Sequence, residues 1–330
     1  SLPVSAFAKW NDGKMENGTA AYEKRGTANY VPVWDSSKCI QCNQCVFVCP
    51  HAVIRPFLAD ENEVAKAPEG TQFLKANGKG LEAFKYTMQI STLDCTGCGV
   101  CVNQCPSKEK ALSMVAIDEA LNKNQQVEAD YFFNNVTYKS DITGRDNAKN
   151  VGFAQPLFEF SGACAGCGET PYVKAVSQLF GERMIVANAT GCTSIYSGSF
   201  PSSPYTKNKE GHGPAWANSL FEDNAEFGFG MKMAYETMRD RLQNILATNA
   251  EVLGEEVTEL AKEWANNRNS SEVTTKIAPK LVAALEANGS DAAKEALELK
   301  QYIAKSSQWI IGGDGWAYDI GYGGLDHVLA

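Results

Sequence analysis

Eleven cysteines are the residues of this sequence with the greatest capacity for chemistry. Eight of them fall in two runs of one pattern, CxxCxxCxxxCP, which read CIQCNQCVFVCP at residues 39–50 and CTGCGVCVNQCP at residues 95–106. Thiolates separated by two residues can close on one face of a four-iron, four-sulfur cube, and a fourth Cys that starts a helical turn pointing away can reach a second cube. The pattern therefore predicts two 4Fe–4S clusters with crossed ligation. One would use Cys39, Cys42, Cys45 and Cys105, and the other would use Cys95, Cys98, Cys101 and Cys49.

Zinc sites and disulfides are the alternative interpretations of these runs. A zinc ribbon usually shows CxxC pairs, whereas two quartets in pseudo-symmetric repeat, each closed by Pro, are typical of two-cluster ferredoxins. The tight spacing, in a chain too large to need covalent staples, indicates metal ligation in a reducing compartment. His51 follows the first run and could serve as a Rieske-type ligand, but four thiolates are already present.

Three cysteines remain, namely Cys164 and Cys167 in SGACAGCGETPY and Cys192 further on. They could form a metal site with a gap, three buried apolar residues, or most of a cluster site whose last ligand lies elsewhere. The CAGCGE loop stands at the predicted start of a helix, where thiolates are stabilised. Zinc also suits three thiolates and a fourth ligand.

The elements that must position these residues suggest an α+β two-cluster ferredoxin-like domain followed by an α/β domain. We expect a lead-in segment at 1–35, the ferredoxin-like domain at 36–140 with an insertion at about 55–93, and the second domain at 150–330. The insertion contains the strand-like FKYTMQIS and would pack over a cluster, although a plain loop extension fits equally well. A helical insertion at about 220–305, with alternating charges, carries no predicted chemistry.

Local signals place three elements in the second domain. ETPYVKAVSQLFG predicts a helix with Thr170 as N-cap, Pro171 at the first helical position and Gly181 as the stop. RMIVANA, at 183–189, predicts a buried strand. A second buried strand, at 309–311, leads into GGDG.

The GDG sequence consists of Gly313, Asp314 and Gly315. Glycines let the backbone approach a diphosphate, and Asp314 offers a hard oxygen ligand for Mg²⁺. The motif is weak by itself because many turns contain it.

Composition excludes several classes of partner. The 330-residue chain has a formal charge of −9, which disfavours nucleic acid or an anionic membrane as the main partner. No apolar run approaches the roughly 20 residues of a membrane span, and SLPVSAFAKW has no signal-peptide pattern. We expect a cytoplasmic protein. Because the chain does not begin with Met, we also expect an interior piece of a longer one.

With these pieces in place, the chain resembles the single-chain, thiamine-diphosphate-dependent pyruvate:ferredoxin (flavodoxin) oxidoreductase family. The resemblance rests on long strings rather than on single motifs. They are YEKRG (22–26), CIQCNQCVFVCPHAVIRP, SGACAGCGETPY, ATGCTSIY (189–196), GPAWANSLFEDNAEFGFGM (213–231) and GDGWAYDIGYGG.

The resemblance implies roles for several residues. Cys164, Cys167 and Cys192 would hold a third 4Fe–4S cluster, completed by a Cys downstream of this sequence. Thr190, Gly191 and Ile195 would face thiamine diphosphate, Glu169 and Thr170 would neighbour it, and Gly313, Asp314 and Gly315 would hold its diphosphate and Mg²⁺. The Asn-bearing half of the thiamine motif and the N-terminal domains of the family would lie outside this chain.

The implied activity is oxidative decarboxylation of pyruvate with coenzyme A to acetyl-CoA and CO₂. Single electrons would pass through three 4Fe–4S clusters to ferredoxin or flavodoxin, and the enzyme would be a homodimer. One alternative keeps this chemistry but changes the substrate to another 2-oxoacid. The other is a ferredoxin-type electron carrier fused to an inert scaffold.

Overall fold

The computed structural model describes residues 2–199, 202–318 and 320–330. The chain forms two compact units, one made of Ser1–Glu182 and Cys192–Pro214, the other of Arg183–Gly191 and Ala215–Ala330. The first unit therefore extends past residue 150, where we expected the second domain to begin. Each unit is described by itself below.

The strands are β1 (Tyr30–Trp34), β2 (Ile54–Ala59), β3 (Leu74–Lys75), β4 (Lys85–Ile90), β5 (Leu112–Ala116), β6 (Met184–Asn188), β7 (Ala215–Asn218) and β8 (Ser307–Ile311).

The helices are α1 (Gln44–Val48), α2 (Glu61–Ala65), α3 (Val100–Asn103), α4 (Ile117–Asn122), α5 (Gln125–Asn135), α6 (Ser140–Thr143), α7 (Ala148–Val151), α8 (Thr170–Phe180), α9 (Cys192–Ser194), α10 (Asn224–Thr248), α11 (Ala250–Asn266), α12 (Ser271–Asn288), α13 (Asp291–Glu298), α14 (Asp314–Tyr318), α15 (Ile320–Gly323) and α16 (Leu325–Leu329). Short 3₁₀ turns cover Val4–Trp10, Thr19–Tyr22, Ser36–Lys38, Gly181–Arg183 and Lys300–Tyr302, and a π-helical turn covers Ile195–Ser199.

Strand pairing in the first unit follows the repeat of the cysteine runs. β1 precedes the first run and pairs antiparallel with β5, which follows the second. β2 follows the first run and pairs antiparallel with β4, which precedes the second. The first run thus lies between β1 and β2, and the second lies between β4 and β5. The two runs therefore occupy pseudo-symmetric positions.

The expected insertion at 55–93 is built on this pairing. β3 pairs with β4, so that the sheet order is β2-β4-β3. Between β2 and β3, α2 begins with a capping box in which the Asp60 side chain accepts from the Glu63 backbone and the Glu63 side chain accepts from the Asp60 backbone. The strand-like sequence FKYTMQIS contains β4, as predicted.

Helix α8 differs from the prediction at its first residue. Glu169 rather than Thr170 occupies the N-cap position, and Gly181 follows the last helical residue as expected. Thr170 takes the first helical position, so Pro171 is the second helical residue rather than the first. The Thr170 side chain is buried, and its hydroxyl has no hydrogen-bond partner among the described residues. The predicted Thr170 cap is therefore wrong, because the hydroxyl of a residue already inside the helix does not reach the orphan N–H groups of the first turn.

The second unit contains a parallel sheet of order β7-β6-β8. Strand β6 is mostly buried, as predicted for RMIVANA. Strand β8 was also predicted to be buried, but it lies at the edge of the sheet, and Ile310 is 38% exposed. The apolar run at 309–311 identified the strand but not its edge position.

The helical stretch at about 220–305 forms α10 to α13, which bury a core of their own. Leu242, Trp264, Leu281 and Leu285 are fully buried there. Helix α10 also packs on the sheet of this unit at Gly228, where an added Cβ would lie only 2.4 Å from the Ile310 side chain. Among the described residues, no helix has the length and apolar character required to cross a bilayer.

Candidate metal centres

The two cysteine runs share one backbone geometry. The second and fourth residues after the first Cys have positive φ in both runs, at Gln41 (58°) and Asn43 (59°) in one and at Gly97 (71°) and Gly99 (73°) in the other. The Gln41 backbone N–H points at Cys39 Sγ over 3.4 Å, and the Gly97 N–H points at Cys95 Sγ over 3.3 Å. Both loops therefore direct a backbone N–H toward a sulfur, which is how proteins stabilise thiolate ligands.

The thiols of Cys39, Cys42, Cys45 and Cys105 line one cavity. Three come from the first run and the fourth from the second, which is the set expected for one crossed centre. The remaining wall is largely apolar and includes Trp34, Ile40, Tyr86, Met88 and Leu112. Such a wall excludes water from whatever the four sulfurs hold.

Tyr86 and Met88 belong to β4, so the predicted insertion supplies part of the wall of this cavity. The Tyr86 hydroxyl donates a hydrogen bond of 2.9 Å to Asn43 Oδ1. The Asn43 amide in turn donates to the Lys149 carbonyl over 2.9 Å. A loop residue in a left-handed conformation is thereby fixed from two sides.

The second set of thiols is brought together around Cys49. Burial, with the negative charges of Cys49 and Cys98 nearby, raises the pKa of Cys95 to about 12. Burial and then Cys49 are also the leading causes that raise the pKa of Cys101. Cys49 therefore lies close enough to Cys95 and Cys101 of the second run to raise the pKa of both thiols.

The fourth Cys of each run follows a helical turn instead of starting one. Cys49 is the residue after α1, and Cys105 lies two residues beyond α3. The expectation that the fourth Cys begins a turn is wrong, but its consequence holds geometrically, because the end of the short helix carries the thiol toward the other run.

The first donor set offers one thiol to each iron of a four-iron cluster, because four cysteines line one cavity with a largely apolar wall. In the described part of the chain, no three His, Cys, Asp or Glu side chains converge on a position suited to one metal ion.

His51 lies beside the first run but is bound elsewhere. It is buried, and its Nδ1–H donates to the Ser161 carbonyl over 3.1 Å, because a carbonyl can only accept. Burial lowers the pKa of His51. The ring therefore connects the first run to the segment that leads to Cys164.

The loop with Cys164 and Cys167 lies against the second run. Gly166 has φ of 74°, and a Cβ added there would stand 3.7 Å from Cys98 Cβ. The Glu169 N–H points at Cys167 Sγ over 3.4 Å, as in the two runs. Cys164 is exposed and Cys167 half-buried.

Cys192 is exposed and begins α9, and the residues that follow tie it to the same loop. Thr193 Oγ1 donates to Glu169 Oε1 over 2.7 Å, and Tyr196 Oη donates to the same oxygen over 2.5 Å. Glu169, two residues after Cys167, thus holds the segment of Cys192. Ile195, predicted to face a cofactor, is 49% exposed.

In the second unit, five predicted residues lie at the carboxyl end of the parallel sheet. Thr190 and Gly191 follow β6, and Gly313, Asp314 and Gly315 follow β8, so both segments leave the carboxyl ends of adjacent strands. Added Cβ atoms on Gly191 and Gly315 would both approach the Phe221 ring, at 3.8 and 4.0 Å. Asp314 is the first residue of α14 and is exposed.

The Thr190 hydroxyl donates to the Ser219 carbonyl, which follows β7. Residues that follow all three strands therefore meet at the carboxyl end of the sheet, which is where open α/β sheets usually bind a ligand.

Sequence reasoning missed several residues that hold the centres together. Lys174 of α8 is 1% exposed and donates to carbonyls of the first run. Lys24 binds Asp94, the neighbour of Cys95, over 2.5 Å, and Arg25 donates to the Phe160 carbonyl over 3.4 Å. No local pattern reveals these contacts, since their partners are 70 to 135 residues away in the chain.

Comparison with known proteins agrees with this geometry. Residues 38–109 match the family of 4Fe-4S dicluster domains, and residues 1–28 match a family described as EKR, a domain of unknown function.

Whole-chain relatives include the pyruvate:ferredoxin oxidoreductase of Moorella thermoacetica, at 49% identity, and the pyruvate-flavodoxin oxidoreductase of Klebsiella pneumoniae, at 48%. Both alignments cover 100% of this chain and 28% of the relative. A mitochondrial pyruvate dehydrogenase [NADP(+)] of Euglena gracilis is 45% identical, again over the whole chain but only 18% of its own length. The chain thus spans about a quarter of the length of these bacterial relatives.

Proposed function

We propose that this chain, homologous from end to end to one segment of the pyruvate:ferredoxin and pyruvate-flavodoxin oxidoreductases, is the electron-carrying part of a pyruvate-oxidising enzyme. The reaction is oxidative decarboxylation of pyruvate with coenzyme A to acetyl-CoA and CO₂. The observation that carries the proposal is the cavity lined by three thiols of one cysteine run and one of the other. Crossed thiol sets of this kind belong to two-cluster electron carriers.

Each outer centre is held by four thiolates of this chain. Cys39, Cys42, Cys45 and Cys105 would ligate one 4Fe–4S cluster, and Cys95, Cys98, Cys101 and Cys49 the other. The backbone N–H groups of Gln41 and Gly97 would stabilise the negative sulfurs, and the apolar wall would limit solvent. Solvent exclusion and N–H···S bonds are two of the means by which a protein sets cluster potential.

A third, inner cluster would be held by Cys164, Cys167 and Cys192 with one further Cys. The closeness of Gly166 to Cys98, where a Cβ added to the glycine would lie 3.7 Å from the Cys98 Cβ, supports a short step from this loop to an outer centre. Glu169 keeps the loop in register with the segment of Cys192 through Thr193 and Tyr196.

Thiamine diphosphate, when bound, supplies the carbanion chemistry that decarboxylates a 2-oxoacid. We place its diphosphate at the carboxyl end of the parallel sheet, beside Thr190, Gly191, Gly313 and Gly315, with Asp314 as one Mg²⁺ ligand. The exposed carboxylate at a strand end offers a hard oxygen, and phosphate oxygens and water can supply the rest of the octahedron. Glu169, Thr170 and Ile195 are proposed neighbours of the cofactor.

The partners follow from the same proposal. Pyruvate and coenzyme A are the substrates, ferredoxin or flavodoxin accepts the electrons, and the enzyme is a cytoplasmic homodimer completed by its remaining domains. The names of the bacterial relatives support the acceptors.

Pyruvate-dependent reduction of ferredoxin or flavodoxin by the full-length protein tests the proposal. We expect reduction that requires both pyruvate and coenzyme A. Cys192→Ala should abolish it while dithionite still reduces the two outer clusters, as seen by electron paramagnetic resonance.

Faster reduction with 2-oxoglutarate than with pyruvate would move the proposal to another substrate. Reduction by neither, in a protein with all clusters present, would favour the simple electron carrier. Normal pyruvate-driven reduction by Cys192→Ala would refute the inner cluster.

A further inference from the structure

Lys174 is a buried cation that lies near cysteines of the first run and, among the described residues, forms no ion pair with a carboxylate. It lies on α8 and is 1% exposed. In the part of the chain that the structure describes, no acidic side chain lies within ion-pair distance of its ammonium. Two other buried basic residues of this unit differ from Lys174, because each has a carboxylate partner. Arg55 pairs with Glu159, and Lys139 pairs with Glu63. An unpaired charge in such a place is strongly disfavoured unless something compensates it.

The hydrogen bonds of Lys174 define its protonation state. Nζ donates to the carbonyls of Val46, Phe47 (2.9 Å) and Cys49 (3.0 Å). All three acceptors are carbonyls, and only an ammonium has three N–H donors to offer them. Lys174 is therefore positively charged in the folded protein.

The three carbonyls belong to the segment that joins the two outer centres. Val46 follows Cys45, a ligand of the first set, and Cys49 is itself a ligand of the second. The ammonium thus stands within hydrogen-bond distance of the backbone of both ligand sets.

We propose that Lys174 is the internal counter-ion of the two outer clusters and sets their reduction potentials. This inference rests on the proposed function. A cluster with four thiolates is negatively charged and gains one more negative charge on reduction. A fixed positive charge in a low-dielectric interior stabilises the reduced form more than the oxidised form, and so raises the potential.

The cluster held by Cys49 should feel the larger effect, because the ammonium bonds to the carbonyl of that ligand directly. The plainer alternative is that Lys174 only caps the carbonyl end of α1, as basic side chains commonly do. A cap would affect folding and cluster uptake but would not require a net charge.

The test compares Lys174→Gln with Lys174→Arg in the cluster-loaded protein. Gln keeps two N–H donors and removes the charge, whereas Arg keeps the charge. The midpoint potential of each outer cluster is measured by redox titration followed by electron paramagnetic resonance. Lys139→Gln is the matched control, because Lys139 is also largely buried but has its own carboxylate partner.

We expect both potentials to fall in Lys174→Gln, with a roughly tenfold weaker reduction equilibrium, or about 59 mV, at the cluster of Cys49. Lys174→Arg and Lys139→Gln should stay near the parent values. If Lys174→Gln fails to take up clusters while Lys174→Arg does so, the requirement for charge is also supported.

Unchanged potentials in a fully loaded Lys174→Gln would overturn the inference, and so would loss of clusters in both variants, since shape rather than charge would then be required. If the parent protein itself holds no 4Fe–4S clusters, the proposed function fails, and that outcome is visible in its iron content before any potential is measured.

Discussion

Burial controls the chemistry of single residues around the centres. Cys95 illustrates it, because burial raises the pKa of its thiol to about 12, and a neutral thiol does not ligate iron. Metal binding must then supply the positive charge that keeps the sulfur ionised in an apolar interior. We expect cluster assembly in this chain to release protons, with the buried thiols dependent on iron for their ionisation.

Glu128 shows the same effect without a metal. It lies in the first turn of α5, and burial raises its pKa to about 7. An acid whose folded pKa exceeds its unfolded value costs nothing at low pH, where both states are protonated. The penalty grows as pH rises past the ordinary value and is complete above about pH 7.

We therefore predict that Glu128→Gln stabilises the cluster-loaded chain by about 1 kcal/mol at pH 8.5, after allowance for solvent screening of a half-buried group. The gain should shrink toward pH 6. Thermal unfolding at both pH values measures it, and Glu119→Gln on the exposed face of α4 is the control, expected within about 0.5 kcal/mol of the parent. A gain that increased toward pH 6 would contradict the assignment.

The crossing of the ligand sets is a property of the short elements α1 and α3. Each carries its fourth Cys away from its own run, so the two proposed clusters would exchange one ligand. The consequence can be isolated in a chain with Cys39, Cys42 and Cys45 changed to Ala. Cys164, Cys167 and Cys192 are also changed to Ala there, so that one outer cluster site remains.

In that background, Cys49→Ala should abolish the remaining cluster, whereas Cys105→Ala should leave it intact. Iron content per chain distinguishes them, at near zero against about four. The reverse result would show that each run uses its own fourth Cys.

The segment at residues 1–28, which matches the EKR family, contacts residues far away in the sequence. Lys24 forms an ion pair with Asp94, which is only 3% exposed, and Arg25 reaches the carbonyls of Phe160 and Ser161. The segment thereby links the start of the second cysteine run to the approach of the Cys164 loop.

Lys24→Met leaves a buried carboxylate without its cation, so we predict a loss of about 1–3 kcal/mol. The temperature at which cluster absorbance is lost should fall by about 2–4 °C per kcal/mol. Lys9→Met removes an exposed ion pair of the same segment and should change little. Equal behaviour of the two variants would argue against the link.

Sequence and structure agree most where chemistry fixes the spacing. The CxxCxxCxxxCP repeat predicted the four thiols that line one cavity, since two-residue gaps suit one cube face. The Gly181 stop and the strand of RMIVANA followed from local signals. The predicted N-cap of α8 is wrong because capping depends on neighbouring side chains. The predicted burial of β8 is wrong because burial depends on the position of a strand in its sheet. Lys174 could not be found, as its acceptors lie at least 125 residues away.

At the scale of the whole molecule, the proposed function assigns electron transfer to the first unit and cofactor binding to the second. The first unit holds the thiol sets, and the second holds the residues proposed for thiamine diphosphate and Mg²⁺. Single-electron carriers next to a decarboxylation site are what an enzyme needs when its acceptor is a ferredoxin or a flavodoxin.

The measurement that tests this most directly is the iron and acid-labile sulfide content of the anaerobically reconstituted chain with Cys164, Cys167 and Cys192 changed to Ala. The eight cysteines of the two runs then remain, and two complete 4Fe–4S clusters predict about eight iron and about eight sulfide per chain. About four iron or fewer, or zinc in their place, would contradict the account.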